Sequence, residues 1–268
     1  MSAIDDLFSR LKAENRKALM PFLTAGDPNI ETTAAVLGKM KAAGADLCEV
    51  GIPYSDPIAD GPVIQASYQR ALESGFRLEH AMQLGREHAA AVEIPMVTMV
   101  SYSIIYRVGL EKYVDQAMAC GYRGAIVPDL LVEEANELSA ICKDKDFSLV
   151  QLVTPTTPKK RQVEIANSST GFLYYVSVTG ITGERTKLPT DLTDSVSWLR
   201  GETDLPICIG FGISGPETAA RLAPVADGLI VGSAVVRRIA ENTDPNIAAE
   251  TVSQFVGELR AAIDSTEG

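Results

Sequence analysis

The chain has 268 residues, of which 46% are hydrophobic and 22% are charged, and its formal net charge is −11. These proportions exclude a long disordered chain, and no stretch approaches the roughly 20 consecutive apolar residues that a membrane-spanning helix needs. The negative charge and the lack of a basic tract argue against nucleic acid or an anionic membrane as the main ligand, so an anionic ligand would need a local binding site.

The first residues, "MSAIDDLFSRLKAENRK", predict a short amphipathic helix, because Ile4, Leu7, Phe8 and Leu11 recur at helical spacing. The stretch mixes acidic and basic residues and has no apolar core of the kind found in signal peptides. We therefore expect a cytoplasmic protein in which this helix packs against the body of the fold.

Eight apolar runs of strand length follow, and each is continuous rather than alternating, which suits parallel strands covered on both faces. The runs are "ALMPFLTA", "DLCEVGI", "PMVTMVSY", "GAIVP", "FSLVQLV", "GFLYYVSV", "LPICIGF" and "DGLIVGS". Amphipathic stretches such as "IETTAAVLGKMKAAG" lie between them and predict helices. The segment 62–92 is longer than one crossover needs and predicts an additional helix.

Eight βα units without a linker favour one α/β domain over residues 1–268, a (β/α)8 TIM barrel with an extra N-terminal helix and an extra helix after strand 2. An open eight-stranded sheet is the alternative. In a barrel of this kind, the loops at the carboxyl ends of the strands form the active site. The position of a residue relative to a strand end therefore predicts its function.

The stretch "CEVGIPYSDPIADGPVIQ" places Glu49 inside an apolar run and Asp56 and Asp60 in the loop that follows. A buried carboxylate costs several kcal/mol unless it is paired or used. Two carboxylates in different surroundings can have pKa values far enough apart for one to donate a proton and the other to accept one. We interpret Glu49 and Asp60 as such a pair, with a structural ion pair as the alternative for Glu49, and Asp56 as a turn residue.

Two glycine turns predict a phosphate site. They lie in "GFGIS" (210–214) and "VGSAVV" (231–236), after the seventh and eighth strands, where barrel enzymes often bind phosphate on backbone amides. The loop "VTGITGERTKLP" (178–189) is longer than a minimal connection. We interpret this loop as a lid that excludes water, with an ordinary flexible loop as the alternative.

Metal and Schiff-base chemistry are not indicated by the residue types. The two histidines, His80 and His88, lie in a predicted helix away from strand ends, and the four cysteines are scattered without a metal-binding or disulfide pattern. Apart from Lys17 at the entrance to the first strand, no lysine falls within a predicted strand, where a Schiff-base enzyme would need one. Acid–base catalysis without a cofactor remains.

The motifs "PFLTAGDP", "EVGIPYSDPIADGPVIQ", "TGITGER", "GFGIS" and "GSAVV" closely resemble those of the tryptophan synthase α subunit family, and the resemblance runs through nearly the whole chain. It implies a barrel that cleaves indole-3-glycerol phosphate into indole and glyceraldehyde 3-phosphate by a retro-aldol step, in tryptophan biosynthesis. No cofactor is implied for this chain. Pyridoxal phosphate is expected only in a partner β subunit, within an α2β2 heterotetramer.

The resemblance also implies roles for individual residues. Glu49 would protonate C3 of the indole ring and help to deprotonate the glycerol hydroxyl, while Asp60 would assist at the ring nitrogen. Thr182 on the lid would meet Asp60 on closure. The phosphate would bind to Gly183, Gly212, Gly232 and Ser233, and the pocket would be lined by Phe22, Tyr102, Tyr174, Thr182 and Phe211. For Phe22, Tyr102 and Tyr174, plain barrel packing is the alternative.

The chain departs from the family pattern in two loops, on the catalytic face that contacts the partner in the family. After "SY" it continues with Ser103, Ile104 and Ile105 where the family usually has an Asn-Pro turn, and Leu131 replaces a proline in "PDLL". These changes leave the catalytic residues intact, and the resemblance does not specify the geometry of the partner contact at these two loops. A free-standing lyase, a non-catalytic allosteric partner and a phosphosugar isomerase remain the alternative functions.

Overall fold

Parallel strands alternate with helices along the chain in a computed structural model, which describes residues 2–58, 60–177, 190–210 and 212–266. Within these residues the strands are β1 (Ala18–Thr24), β2 (Cys48–Gly51), β3 (Met96–Met99), β4 (Tyr122–Ile126), β5 (Ser148–Val150), β6 (Leu152–Val153), β7 (Leu173–Val176), β8 (Ile207–Gly210) and β9 (Gly228–Val231). The helices are α1 (Ala3–Ala13), α2 (Ile30–Lys39), α3 (Pro62–Glu73), α4 (Leu78–Val92), α5 (Tyr102–Val108), α6 (Leu110–Ala119), α7 (Asn136–Asp144), α8 (Lys159–Ser168), α9 (Thr190–Arg200), α10 (Pro216–Leu222), α11 (Ser233–Ala240) and α12 (Pro245–Asp264).

The strands form one parallel sheet that nearly closes into a barrel. Its order is β5-β4-β3-β2-β1-β9-β8-β7-β6, so the two ends of the sheet are β5 and β6. These two strands are separated only by Gln151, whose carbonyl accepts a hydrogen bond from the Tyr174 amide at 3.1 Å. The predicted (β/α)8 barrel is confirmed, and the open sheet is not what the chain forms.

The strand predicted for "FSLVQLV" is wrong in one respect, because it is interrupted at Gln151. The Gln151 side chain donates a hydrogen bond to Ser168 Oγ at 2.8 Å, at the end of α8. The fifth strand of the predicted barrel therefore consists of two short segments, β5 paired with β4 and β6 paired with β7.

Helix α1 lies against the amino end of the barrel. A capping box formed by Ser2 and Asp5 begins the helix, and its buried apolar residues join the cluster inside the barrel. The Phe8 ring lies 5.7 Å from the Phe172 ring, and Ser2 Oγ lies 3.0 Å from Ser148 Oγ. This end of the barrel is thereby filled, which leaves the carboxyl end for a ligand.

Two helices, α3 and α4, lie between β2 and β3.

Side chains of the strands alternate between two apolar clusters. Those pointing outward pack under the helices, whereas the inner cluster includes Met20, Phe22, Val97 and Ile230. Phe22 pairs with Glu49 in the β1–β2 register, and Glu49 pairs with Val97 in the β2–β3 register. Glu49 therefore belongs to the inner layer, because residues in register on neighbouring parallel strands point to the same face.

The predicted surroundings of the remaining reactive side chains agree with the fold. All four cysteines are buried and unpaired. His80 lies in α4, where its Nδ1 accepts a hydrogen bond from the Arg77 amide at 3.1 Å. In the described parts of the chain, no helix is both long and apolar enough to cross a membrane.

Candidate active site

A cavity of about 440 Å³ lies at the carboxyl end of the barrel. Its volume falls within the range usual for small-molecule sites. The wall is apolar over most of its extent, with carboxylates in one part and a glycine-rich turn in another. It includes Phe22, Glu49, Asp60, Ile64, Met99, Leu152, Thr154, Tyr174, Gly212, Ser214, Ile230, Gly232, Ser233 and Arg237.

Glu49 is the most deeply buried acid of this cavity. Its side chain is 0% exposed, and neither carboxyl oxygen has a hydrogen-bond partner among the described residues. Burial raises the pKa of Glu49 well above its ordinary value, because no nearby cation or donor stabilises the charged form. The raised pKa favours the protonated carboxyl group, which is the form that can donate a proton. The alternative of a structural ion pair does not fit these contacts.

Asp60 is a second carboxyl group with a different environment. It lies in the loop after β2 and is only partly buried. Burial, and next the charge of Asp129, raise the pKa of Asp60 to about 6. The Asp60 amide donates to the Pro57 carbonyl at 3.1 Å, and Gln65 Nε2 donates to the Asp60 carbonyl at 2.8 Å. Asp60 is therefore mostly ionised at pH 7.

Asp129 joins the loops that follow β3 and β4. Its carboxylate accepts hydrogen bonds from Ser101 Oγ and from the Tyr102 amide, both at 2.7 Å. These contacts hold its charge where it influences Asp60. The sequence analysis did not single out Asp129, because its proximity to Asp60 depends on two loops that are far apart in the chain.

Two glycines make room for the aromatic rings of the cavity wall. A Cβ at Gly51 would lie 2.6 Å from Phe22 Cε2 and 3.0 Å from the Tyr68 hydroxyl. A Cβ at Gly210 would lie 2.5 Å from Tyr174 Cε1. These distances are too short for real contacts, so the rings of Phe22 and Tyr174 keep their positions only because glycine faces them.

Tyr102 lies elsewhere. It is the first residue of α5 and packs against the outer cluster under the helices, with its ring 6.1 Å from that of Tyr106. Since Ser101 caps α5 and the Tyr102 amide is bound to Asp129, the side chain leaves the strand on the outer side. The structure brings Phe22 and Tyr174 to the cavity but does not bring Tyr102 to its wall.

The glycine turns after β8 and β9 form another part of the cavity wall. Gly212 has a φ of +80°, a left-handed conformation that favours glycine. Gly232 precedes α11 and supplies no side-chain cap to it. The Gly232 carbonyl accepts from the amides of Val235 and Val236, whereas the earlier amides of α11 point out of the helix end. Free amides of this kind suit an anion.

The predicted lid, loop 178–189, falls outside the described residues, and so do its residues Thr182 and Gly183. Phe211 also falls outside them. Asp56 is exposed, and its carbonyl accepts from the Ile58 amide at 2.8 Å, as a turn residue does. In the described ranges, no three His, Cys, Asp or Glu side chains cluster as ligands of a metal ion would.

Three polar residues of the cavity wall were missed by the sequence analysis: Thr154, Ser214 and Arg237. Ser214 lies within the "GFGIS" motif, so its position after the glycine turn was a usable signal. Thr154 and Arg237 belong to no motif. Only the helical phase of "SAVVRR" could have indicated that Arg237 shares a face with Ser233.

Comparisons with known proteins agree with this geometry. A family model described as tryptophan synthase alpha chain matches residues 8–264. The tryptophan synthase alpha chain of Rhodopirellula baltica is 65% identical over 99% of this chain and 100% of its own length, and that of Clostridium kluyveri is 41% identical over 98% and 100%.

Solved structures give the same relationship. The crystal structure of tryptophan synthase subunit alpha from Legionella pneumophila has a TM-score of 0.90 and 34% identity, with 99% of each chain covered. A chain in the crystal structure of tryptophan synthase from M. tuberculosis has a TM-score of 0.87 and 28% identity, covering 98% of this chain and 100% of that one. The chain belongs to the tryptophan synthase alpha chain family.

Proposed function

We propose that this chain acts as a single catalytic domain that cleaves indole-3-glycerol phosphate into indole and glyceraldehyde 3-phosphate, a lyase reaction. The observation that carries the proposal is Glu49, a fully buried carboxyl group without a partner among the described residues, in the wall of a cavity that also contains Asp60. A protein gains nothing in stability from such a group, so its presence points to chemistry.

Glu49 supplies the proton that the reaction needs. It donates this proton to C3 of the indole ring, and the bond between C3 and the glycerol chain then breaks. The electrons of the hydroxyl on the adjacent carbon form the aldehyde, and the hydroxyl proton returns to the Glu49 carboxylate. The step is balanced, and the acid is regenerated.

Asp60 has the complementary role. Protonation at C3 places a positive charge on the ring nitrogen, and a carboxylate beside the N–H stabilises that charge. With its pKa raised to about 6, Asp60 is ionised over most of the neutral range and suits this task. Phe22 and Tyr174 supply the apolar walls that a flat aromatic ring needs.

The glycine turns hold the phosphate. We assign it to the amides of Gly212, Gly232 and Ser233, and we propose that Gly183, Thr182 and Phe211 complete the site from outside the described residues. The reaction uses no cofactor in this chain, and pyridoxal phosphate is assigned to the partner β subunit.

Indole release by the purified chain tests the proposal. Wild type and Glu49→Gln are incubated with indole-3-glycerol phosphate, each with and without a β subunit. General acid–base groups contribute about 10² to 10⁴-fold to rates, so we expect a loss of that order for Glu49→Gln and stimulation of wild type by the partner. Fast indole release at the same rate with and without the β subunit would favour a free-standing lyase. No turnover by wild type would instead favour a non-catalytic partner or an isomerase.

A β subunit is the proposed partner, in an α2β2 heterotetramer. Three large apolar residues are exposed after three neighbouring strands: Ile58 at 93%, Tyr106 at 72% and Leu131 at 54%. Because all three follow carboxyl ends of strands, they lie at the same end of the barrel as the cavity, and an exposed apolar surface there suits an interface. The exposure of Leu131, at a position where the family usually has proline, leaves this face apolar.

The partner surface is tested with Ile58→Glu, and with Ile247→Glu as a matched control, since Ile247 is 57% exposed on α12 away from these loops. We expect only Ile58→Glu to weaken co-elution with the β subunit and its stimulation of indole release. Equal effects of both variants would argue against this face.

The buried, unpaired cysteines support a reducing compartment, for which we propose the cytoplasm.

A further inference from the structure

Arg237 is the only lysine or arginine in the described wall of the cavity. It lies in α11 one helical turn after Ser233, so the two side chains share a face. Helical side chains tilt toward the amino end of their helix. The Arg237 guanidinium is therefore directed toward the free amides that begin α11.

The adjacent arginine has different surroundings. Arg238 lies over the Phe255 ring at 3.5 Å and donates to the Ala234 carbonyl at 2.8 Å, so it is used in packing α11 onto α12. Arg237 is exposed, and its side chain has no hydrogen bond or ion pair with any described residue. Its charge is available to a ligand.

The charge balance of the cavity favours a cation beside the bound phosphate. A phosphate ester carries about −1.5 to −2 charges at pH 7, and Asp60 adds another negative charge to the same cavity. Backbone amides offer partial charges but no net positive charge. In a chain with a net charge of −11, binding a dianion would otherwise work against the overall field.

We propose that Arg237 is a further substrate-binding residue, whose guanidinium neutralises the phosphate ester held at the amino end of α11. The proposal rests on the proposed function, because it assigns the phosphate to this end of the cavity. Arg237 does not take part in proton transfer, and its contribution is to affinity for the phosphorylated half of the substrate.

Calorimetric titration of the full-length chain with glyceraldehyde 3-phosphate and with indole separates the two halves of the site. The variants are Arg237→Gln, Arg237→Lys and, as a control for net charge, Arg10→Gln on the exposed face of α1. We expect Arg237→Gln to weaken glyceraldehyde 3-phosphate binding roughly fivefold to tenfold, as suits a charged hydrogen bond at a partly exposed site. Indole affinity should stay within twofold, and Arg237→Lys should retain most of the phosphate affinity.

Kinetics with indole-3-glycerol phosphate give a second measure. Arg237→Gln should raise KM and leave kcat within about twofold, and added salt should weaken its binding less than that of wild type. Equal binding of glyceraldehyde 3-phosphate by wild type and Arg237→Gln would overturn the role of Arg237, as would an equal loss of indole affinity. Failure of wild type to turn over the substrate would instead overturn the proposed function, which the same assay reports separately.

Discussion

Replacing Glu49 with glutamine tests whether the buried acid holds its proton in the native protein. The ordinary pKa of a glutamate is near 4.5, and burial raises that of Glu49 well above this value. Between these two values the unfolded chain has lost the proton and the native chain retains it. The contribution of this proton to the free energy of unfolding is therefore fully present below about pH 4.5, and it is lost as the pH rises toward the native pKa.

The size of the effect follows from linkage. One proton that is bound only in the native state lowers the free energy of unfolding by about 1.4 kcal/mol per pH unit. Glutamine has a similar shape and no proton to lose, so this slope is absent from the variant. We expect the stability of Glu49→Gln relative to wild type to increase with pH above about 4.5, with a slope of up to about 1.4 kcal/mol per pH unit.

Urea unfolding followed by circular dichroism at pH 5.5, 6.5 and 7.5 measures this difference. Glu79→Gln is the matched control, because it makes the same substitution at an exposed position in the first turn of α4. A difference for Glu49→Gln that does not change with pH would refute the reasoning. It would mean that Glu49 is ionised in the native chain and cannot be the acid that protonates indole.

Other perturbations test the surroundings of the site. Asp129→Asn removes a like charge and so lowers the pKa of Asp60 from about 6; the rise of kcat/KM with pH should move to lower pH, as a profile from pH 4.5 to 8 would show. Arg70→Ala should lower the free energy of unfolding by about 2 kcal/mol in urea, because the buried Asp27 loses two hydrogen bonds of 2.8 Å. Gly51→Ala should cost about 1 to 3 kcal/mol in the same assay and reduce kcat/KM by crowding the cavity wall. Unchanged values would contradict each expectation.

The position of Glu49 in the cavity wall could be predicted because its signal is local. A single carboxylate within the apolar run "DLCEVGI" is unusual in any strand, and a barrel directs alternate residues of such a strand inward. The glycine turns after the last two strands were equally readable, since their positions in the barrel have a known relation to phosphate. For these residues, the local sequence alone indicates their position in the barrel.

Other features depend on contacts between distant parts of the chain. Asp129 influences Asp60 only because Ser101 and the Tyr102 amide hold it at the mouth of the barrel. The stretch "PDLL" contains no pattern that predicts these hydrogen bonds of Asp129. The interruption of the strand at Gln151 likewise depends on contacts with Ser168 and Tyr174. The outward orientation of the Tyr102 side chain depends on how α5 is capped.

The order of the strands connects the two halves of the proposed site. β1 pairs with β2 on one side and with β9 on the other, so Phe22 lies between Glu49 and the Gly232 turn. A Cβ at Gly232 would lie 3.7 Å from Phe22 Cδ1, which places the ring beside the phosphate end as well. Two strand spacings separate β2 from β9, about 10 Å. A substrate with a three-carbon chain between an aromatic ring and a phosphate can therefore place its ring near the acid on β2 and its phosphate at the turn after β9.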